Sequence, residues 1–339
     1  MRVPRHLAPR HLAPRHLVLS AGACLAVLAA TLPATSAAAR TAVEPTGPTP
    51  VAAVARGALA APVVRHAARP KHRRSKAIMP TRRTRLAPGS GTAPMTYHGG
   101  RLMTAPAHVY LLWYGTWSSK PAVPVLTDLV RGFGGSAYAR TNATFTDAAG
   151  HHVTSDERYA GSLVDEYSHG HRLTDAGVKA VVRRAVTTAH LPVDRDAVYV
   201  VLTSADVHES SGFGSRYCGW HSHATIAGTD LKYVFLGDPT TQAPRTCVAP
   251  LPTLPVGDLA SDAMASTLVH ELDETLTDPD LDGWYDRWFN ENGDKCAWTY
   301  GPLRRTPSGA VTNVRLGGHD LLIQRNWVVA PTQGCAMTG

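Results

Sequence analysis

Apolar residues in this chain form short continuous runs and helically spaced sets between residues 107 and 329. A run rich in β-branched and aromatic residues predicts a buried strand, and apolar residues three and four positions apart predict a helix. The pattern predicts strands at Ala107–Tyr114, Asn142–Thr146, Ala197–Thr203 and Lys232–Leu236, helices at Val123–Phe133, Asp175–Ala189 and Leu259–Thr277, and a last apolar segment at Asp320–Val329. This alternation indicates an α/β fold with a mixed sheet.

Polar residues mark the ends of the second and third predicted helices. Thr174 precedes the second helix and Asp258 precedes the third, and such side chains accept hydrogen bonds from the first turn of a helix. Pro279 lies just beyond the third helix and disfavours helical geometry at the residue before it. The third helix is therefore predicted to end at Thr277.

The third predicted helix carries polar and apolar residues on different sides. At about 100° per residue, Glu274 lies about 40° round the axis from His270, and Glu271 and Asp278 lie within about 100° of it. The other side carries four apolar residues, Met264, Leu268, Leu272 and Leu276. One side is predicted to pack in the core, and the other presents a histidine with carboxylates.

This polar side is similar to the metal-binding helix of zinc proteases, except that a glutamate stands where those enzymes have their second histidine. His270 and Glu274 are therefore predicted to be metal ligands, and Glu271 is predicted to be the general base. A sheet followed by such a long active-site-type helix is the order found in zincin-like, metalloprotease-like folds. The fold is accordingly predicted to be zincin-like, by analogy.

A zinc hydrolase needs three protein ligands and an open position for water. The third ligand is predicted to be Glu291, because its segment resembles the Asn-Glu segment of thermolysin-like enzymes. Asp294 is predicted to orient one of the ligands. Asp278 and Asp280 are rival third ligands.

Zinc is the predicted cofactor, but a set of one imidazole and two carboxylates also suits manganese, and the nearby aspartates suit calcium. The alternative is a solvated acidic helix end without metal. In that case His270 forms a hydrogen bond within the fold.

Four further residues are predicted to face a substrate: His221, Asp206, Trp284 and Tyr285. His221 could instead pair with His223 as a second metal site. The two aromatic residues could line a groove for a peptide or glycan polymer, although such residues are often part of a core or its rim. The chain lacks the Gly-x-Ser-x-Gly elbow of serine hydrolases, phosphate-binding loops and dinucleotide fingerprints.

The first 93 residues differ in composition from the rest. Residues 1–39 are predicted to be a signal peptide, with four arginines, an apolar run and a small-residue cleavage site. Residues 40–93 contain eleven Lys or Arg, one acid and almost no large apolar residue, which predicts a disordered basic Ala/Pro-rich linker or propeptide. Residues 94–339 are predicted to form one globular domain.

The charge is distributed unevenly along the chain. Of the net charge of +8, residues 1–39 contribute +4 and residues 40–93 contribute +10, so residues 94–339 carry −6. The basic balance therefore describes the tail, which is predicted to contact an anionic cell surface, and nucleic-acid binding is not predicted. No later run is long enough to span a membrane, so the protein is predicted to be secreted and not transmembrane.

Four cysteines follow the predicted signal peptide: Cys218, Cys247, Cys296 and Cys335. An even number in an exported chain predicts two disulfides. Three pairings are possible, and pairing of nearest neighbours is favoured, as Cys218–Cys247 and Cys296–Cys335. A four-cysteine zinc site is the alternative, which the lack of a Cys-x-x-Cys motif disfavours.

Five segments in order resemble the exordium family, also called the phosphate-induced protein 1 family, known mostly from plant cell walls. They are Tyr97–Gly100, Val109–Trp117, Leu202–Val207, Cys218–His221, and the His-Glu helix with Trp284, Tyr285 and Cys296 after it. The resemblance implies a secreted, wall-associated protein of an exordium-like domain, and plant members are linked to growth regulation. This chain is similar to bacterial-type secreted members that retain the His-Glu-x-x-Glu motif, which other members lack.

Together these features predict a secreted exordium-like protein that is a metal-dependent peptidase or amidase acting on extracellular or cell-wall polymers. The alternative prediction is a non-catalytic wall-associated or signalling protein in which the long helix is structural.

Overall fold

The computed structural model describes residues 74–84 and 91–339. The predicted signal peptide and most of the predicted linker lie outside these residues. The helices are α1 (Ala122–Phe133), α2 (Asp175–Thr187), α3 (Pro239–Gln242), α4 (Leu259–Thr277) and α5 (Asn292–Lys295), with a 3₁₀ helix at Ala139–Thr144. The strands are β1 (Ala77–Pro80), β2 (Thr96–Tyr97), β3 (Ala107–Tyr114), β4 (Glu157–Asp165), β5 (Arg172–Leu173), β6 (Ala197–Thr203), β7 (His208–Glu209), β8 (Tyr217–Ile226), β9 (Thr229–Gly237), β10 (Trp284–Tyr285), β11 (Arg304–Arg305), β12 (Val311–Thr312), β13 (Val314–Leu316), β14 (His319–Leu321), β15 (Asn326–Val328) and β16 (Gly334–Ala336).

A six-stranded mixed sheet forms the centre of the fold. Its strand order is β1-β8-β9-β6-β3-β4. The pairs β4–β3, β3–β6 and β6–β9 are parallel, whereas β9–β8 and β8–β1 are antiparallel. The sheet therefore changes from parallel to antiparallel at β9, and β8 and β1 lie together at one side of it.

The two strongest predicted strands lie in the parallel part of the sheet. All residues of β6 are buried, and in β3 every residue except His108 is buried. Strands that are covered on both faces read as continuous apolar runs, so local sequence is sufficient to identify them. Both predictions are confirmed with the predicted bounds.

Helices cover both faces of the sheet and divide the core in two. One cluster joins α1 and α4 to the sheet, for example through Leu126, Leu268 and Val200. The other joins α2 to the opposite face through Val178, Val182 and Tyr199. The prediction of an α/β fold with a mixed sheet is confirmed by these layers.

The long helix α4 has the predicted bounds and caps. The Asp258 side chain accepts a hydrogen bond from the Ser261 N–H, and the helix ends at Thr277. Every residue from Ala263 to Thr277 is buried. The side that carries His270 and the carboxylates is therefore as buried as the apolar side, which excludes the alternative of a solvated acidic helix end.

One predicted strand is wrong. Most of the segment Asn142–Thr146 belongs to the 3₁₀ helix, because hydroxyl groups here bond to the backbone three residues earlier. Thr141 Oγ1 donates to Tyr138 O and Thr144 Oγ1 donates to Thr141 O. Asn142 is buried, and its amide donates to Asp273 Oδ1 of α4 at 2.7 Å.

The predicted disorder of residues 40–93 is wrong for residues 74–84. Residues 77–80 form β1, which pairs antiparallel with β8, and Ala77 and Met79 are buried. The strand holds Ile78 and Met79, and a distant part of the chain provides its partner strand. Composition averaged over the segment hides such a short strand, and the folded part therefore begins before residue 94.

The two predicted disulfides are confirmed with nearest-neighbour pairing. Cys218–Cys247 connects the start of β8 to the segment before α4, and Cys296–Cys335 connects the end of α5 to β16. Both bonds hold elements that border α4. Within the residues that the structure describes, no helix is both long and apolar enough to cross a bilayer.

Removal of the first disulfide tests its contribution to stability. The double variant Cys218→Ser/Cys247→Ser should lose about 3 kcal/mol of unfolding free energy, because a loop with a sequence separation of 29 is no longer closed in the unfolded chain. Urea unfolding measured by tryptophan fluorescence gives this value. Equal unfolding midpoints for the variant and the oxidised wild type would contradict the prediction.

Candidate metal centre

Three elements meet on the α4 side of the sheet and bring two histidines together. Helix α4 contributes His270 and Glu274, strand β8 contributes His221, and the turn that begins α5 contributes Glu291. His221 pairs with Val234 of β9, whose side chain packs in the core cluster that includes α4. The His221 side chain therefore lies on the face of the sheet that α4 covers. All four side chains are buried.

The distances within this cluster match those of metal ligands. His270 Nε2 lies 2.9 Å from Glu274 Oε1, His221 Nε2 lies 3.0 Å from Glu291 Oε2, and His221 Nε2 lies 4.0 Å from Glu274 Oε2. Ligand atoms that share a tetrahedral zinc at about 2.1 Å lie roughly 3.4 Å apart. The separations lie on both sides of this value, so each of the two triads that share Glu274, one with His221 and one with His270, can bind a cation after small side-chain adjustments.

Several atoms of the cluster lack a hydrogen-bond partner among the described residues. They include His270 Nε2, Glu274 Oε2 and Asp294 Oδ1. A buried polar atom without a partner costs about 1–3 kcal/mol. Although His270 Nε2 is close to Glu274, the geometry between them is not that of a hydrogen bond. Atoms arranged in this way are typical of a site that a cation completes.

Burial and mutual repulsion perturb the carboxyl groups strongly. Burial raises the pKa of Glu274 to about 7, with a further contribution from Asp294. Burial also raises the pKa of Glu291 to about 8, against the attraction of Arg74. Several carboxyl groups lie close together here and are buried away from solvent, so their ionised forms are unfavourable. Binding of a cation would stabilise these ionised forms.

The two histidines differ in electrostatic environment. Burial lowers the pKa of His221 to about 3, which keeps its imidazole neutral, as metal ligation requires. Burial also acts to lower the pKa of His270, but the carboxyls of Glu274 and Asp294 outweigh burial and raise it well above its ordinary value. The carboxyl groups around His270 therefore favour its protonated form, whereas burial favours the neutral form of His221.

Glu271 lies where a general base would contact the centre. Its carboxylate, the imidazole of His270 and the carboxylate of Glu274 form a second group whose ligand atoms lie within 4.8 Å of one another. Glu271 Oε1 accepts a hydrogen bond from the Met79 N–H at 3.2 Å, and Oε2 has no partner among the described residues. Burial raises the pKa of Glu271 well above its ordinary value, with a further contribution from Glu274.

Two glycines allow the elements to approach one another. A Cβ at position 219 of β8 would lie 2.7 Å from Glu271 Oε1, so only glycine lets α4 pack this closely on the strand. A Cβ at Gly293 would lie 2.8 Å from His270 Nδ1 and 2.9 Å from Glu274 Oε1. The glycine of the Asn-Glu-Asn-Gly-Asp segment therefore permits α5 to pack against the ligands.

The turn before α5 fixes the position of its carboxylates. Glu291 and Asp294 form a capping box, in which the Glu291 N–H donates to Asp294 Oδ2 at 3.3 Å. The Asp294 N–H donates to Glu274 Oε1 at 2.9 Å, and Asp294 Oδ1 lies 3.7 Å from His270 Nε2. Asp294 therefore lies between the two ligand candidates of α4, and its orienting role stays a prediction.

A buried polar network lies behind α4 and holds it. Asn292 donates to Asn142 Oδ1 at 3.2 Å, and Asn142 donates to Asp273 Oδ1. Asn292 Oδ1 accepts from Thr277 Oγ1 at 3.0 Å. Burial raises the pKa of Asp273 to about 8. The network ties α4, α5 and the 3₁₀ helix together and restricts the movement of the ligands.

Arg74 reaches the cluster from outside the predicted domain. Its guanidinium donates to Asp278 Oδ2 at 2.9 Å and lies 3.5 Å from Glu291 Oε1. Burial alone would lower its pKa, but Glu291 and Asp278 raise it. Asp278, a rival ligand in the sequence analysis, is therefore paired with an arginine, and its carboxyl also accepts from the Gly283 N–H.

Asp280 belongs to another group of side chains. It lies 2.5 Å from Lys232 Nζ and 3.9 Å from His223 Nδ1, and Asp230 completes this group. The lysine is fully buried and also bonds to Asp230 at 2.8 Å. Both carboxylates pair with the same ammonium group, and Asp280 belongs to this group of side chains and not to the centre around His270.

The predicted substrate-facing residues are not brought together. His221 is buried in the centre and does not face solvent. Asp206 bonds to Ser204 at 2.5 Å and to Tyr167, in the loop after β6. Trp284 packs against Phe145 and donates to Thr146 O. Of the three residues other than His221, only Tyr285 borders the centre, with the centroid of its ring 4.7 Å from the Arg74 guanidinium.

The sequence does not predict that His221 and Arg74 lie in this centre. His221 is a ligand candidate because β8 lies under α4, and the sequence shows only a histidine three residues after Cys218. Arg74 lies in a run of basic residues that resembles a solvated tail. Neither contact is visible without the sheet order.

Comparison with known proteins agrees with the segments quoted above. The family model described as the phosphate-induced protein 1 conserved region matches residues 95–309. The chain belongs to the phosphate-induced protein 1 family. Protein EXORDIUM-like 5 of Arabidopsis thaliana is 29% identical over 278 residues, which cover 70% of this chain and 76% of that protein. Protein EXORDIUM-like 3 of the same plant is 30% identical over 220 residues, which cover 58% of this chain and 65% of that protein. No solved structure matches the chain.

The family match places the centre relative to the rest of the chain. His221, His270, Glu274 and Glu291 all lie in the matched region. Strand β1 and Arg74 lie before it. The centre therefore combines family-matched residues with a segment that the family model does not include.

Substitution at Gly293 tests whether the ligands need this close approach. Gly293→Ala should weaken zinc binding at least about tenfold, because the new methyl group would displace His270 or Glu274. Competition with a chromophoric chelator measures the affinity. Gly334→Ala is the matched control, since a Cβ there meets nothing within 4 Å. Equal affinities for the two variants would contradict the prediction.

Proposed function

We propose that this chain is a secreted metal-dependent hydrolase, a peptidase or amidase that acts on extracellular or cell-wall polymers. One observation carries the proposal: two buried triads, His221 with Glu274 and Glu291, and His270 with Glu271 and Glu274, share Glu274, and His270 Nε2 and Glu274 Oε2 have no hydrogen-bond partner among the described residues. The Trp and Tyr residues near the centre do not define the polymer, so peptide and glycan-linked peptide both remain substrates to test.

The donor atoms favour zinc. Zinc binds imidazole nitrogen and carboxylate oxygen in tetrahedral sites, whereas calcium takes oxygen ligands alone. Each of the two triads includes one imidazole, from His221 or from His270, and this lowers the case for calcium. Manganese remains the alternative cofactor, since it accepts mixed nitrogen and oxygen ligands.

The geometry supports hydrolysis by a general base. A bound zinc would polarise the scissile carbonyl and lower the pKa of a coordinated water. Glu271 would take a proton from that water while the water oxygen attacks the carbonyl carbon. It would then pass the proton to the leaving nitrogen as the C–N bond breaks, so that an acid and an amine are released.

Two features of the fold support a zincin-like arrangement. The helix with the His-Glu motif packs on a mixed sheet, and the neighbouring strand β8 is antiparallel to the rest. The support is a likeness in the arrangement of helix and sheet. The two disulfides and the exordium-like relatives are compatible with an extracellular protein, and residues 1–39 read as a signal peptide.

Burial favours a second candidate function, a structural metal in a non-catalytic wall-associated protein. The ligand candidates His221, His270, Glu274 and Glu291 are all at most 2% exposed. Structural zinc sites are closed, whereas catalytic sites keep one position open to substrate. The two functions differ in whether Glu271 is needed after metal has bound.

Metal analysis combined with matched variants tests the proposal. The purified full chain should bind one zinc, and His270→Ala and His221→Ala should each weaken binding at least about 100-fold, because each removes a direct ligand. His223→Ala is the control, since this histidine pairs with Asp230 away from the centre. Elemental analysis and chelator competition give the stoichiometry and affinity.

Glu271→Gln separates the two functions. The variant should keep its metal and lose about 100-fold or more of turnover on a quenched fluorescent peptide library. If chelation changes neither metal content nor melting temperature of the wild type, the metal site itself is refuted. Full turnover in the Glu271→Gln variant would leave a structural metal as the function of the site.

A further inference from the structure

A strap of seven residues, Arg74 to Pro80, covers the centre. Its backbone pairs antiparallel with β8 through Ala77–His221, Ile78–Trp220 and Met79–Gly219. Ser222 Oγ of β8 also donates to Ser75 O at 2.7 Å. The strap thus forms the edge strand directly beside the candidate ligand His221.

The first basic residue of the strap occupies a built pocket. The Arg74 guanidinium bonds to Asp278, approaches Glu291 and donates to Phe289 O at 3.1 Å. It also lies over the rings of Tyr285 at 4.7 Å and Phe289 at 5.3 Å. Two buried carboxylates, a carbonyl and two aromatic faces therefore surround this cation.

The second basic residue of the strap has its own pocket. Lys76 Nζ bonds to Asp175 at 2.8 Å and to the Tyr217 hydroxyl at 3.1 Å. It lies 4.2 Å from the centroid of the Tyr217 ring and 5.1 Å from that of Trp220. The two cations of the strap are therefore each recognised by a carboxylate and an aromatic ring.

The strap contacts the candidate base as well as the acidic pocket. The Met79 N–H donates to Glu271 Oε1 at 3.2 Å. Further along, Pro80 O accepts from Trp298 Nε1 at 2.9 Å, and the Arg82 N–H donates to Thr246 O. While the strap is in place, Glu271 has one oxygen engaged and the ligands have no exposed face for a substrate.

Peptides are commonly recognised by addition of a strand to a sheet edge. Main-chain hydrogen bonds provide affinity in this mode, and pockets for side chains provide specificity. The strap shows both features, and it lies outside the region that matches the family model. An extended basic segment therefore occupies the position that an extended peptide substrate would need beside the centre.

We propose that β8 and the two acidic-aromatic pockets form a binding site for extended peptides with two basic residues, one at the position of Arg74 and one at the position of Lys76. The strap fills this site within the same chain and so blocks the centre. The proposal rests on the proposed hydrolase function for its substrate class. Displacement or cleavage of the strap opens the site.

An exchange experiment on the full chain tests this site. A site-specific protease sequence replaces residues 85–90, so that the folded protein can be cut after the strap. A fluorescent synthetic peptide with the sequence of residues 71–84 is then added, and its anisotropy is measured. The peptide should bind the cut protein and should not bind the uncut protein, in which the covalently attached strap competes.

Variant peptides test the pockets. A peptide with Arg74→Ala and Lys76→Ala should bind at least about tenfold more weakly, because it loses two charge-assisted contacts. A peptide with Arg83→Ala is the control, since Arg83 is exposed and should not change binding. Failure of the cut protein to exchange its strap, its unfolding after cutting, or equal binding of the double-alanine peptide would each overturn the proposal.

The binding readout separates this proposal from the hydrolase. Anisotropy needs neither metal nor turnover, so it is repeated after chelation. Peptide binding in a protein that never hydrolyses peptides would refute the hydrolase and uphold the binding site. Hydrolysis of peptides without any preference for basic residues would uphold the hydrolase and refute the binding site. If both proposals hold, cutting should raise hydrolysis of basic peptides by the metal-loaded protein.

Discussion

The burial of five carboxyl groups in one cluster is the constraint on which the rest of this structure depends. They belong to Glu271, Glu274, Asp278, Glu291 and Asp294. Each unpaired buried ion costs several kcal/mol, and one guanidinium with one protonated imidazole cannot balance all five. The pKa values of these glutamates are raised in consequence. The proposed divalent cation would relieve the imbalance, and the capping box and the close glycine contacts of α5 hold the carboxylate oxygens beside the two histidines.

Local sequence patterns are sufficient to predict the elements whose own apolar residues show that they are buried. Strands β3 and β6 and helix α4 were identified with the correct bounds, because continuous apolar runs and helical spacing do not depend on distant partners. Strand β1 was missed, since its stability comes from β8 about 140 residues further along the chain. The pattern predicts a strand at Asn142–Thr146 because the threonine hydroxyls, which favour a 3₁₀ turn, do not alter the apolar pattern.

The same distinction applies to the centre. His270, Glu271 and Glu274 follow from the spacing of one helix, and Glu291 follows from a likeness to a segment of another enzyme group. His221 comes from a strand that meets the helix only after the sheet has formed, and Arg74 comes from a basic segment whose average composition suggests a tail. Sequence reasoning thus finds ligands within an element and misses those that the sheet order supplies.

A strap covers the proposed metal centre, and the family model matches the domain but not the strap. The central claim is that His221 and His270, which both approach Glu274, bind the same cation. Anomalous diffraction at the zinc edge from crystals of the zinc-loaded protein tests this most directly. The account predicts one strong peak within bonding distance of both Nε2 atoms and of Glu274. No peak there, or a peak only at the group of His223 and Asp280, would contradict it.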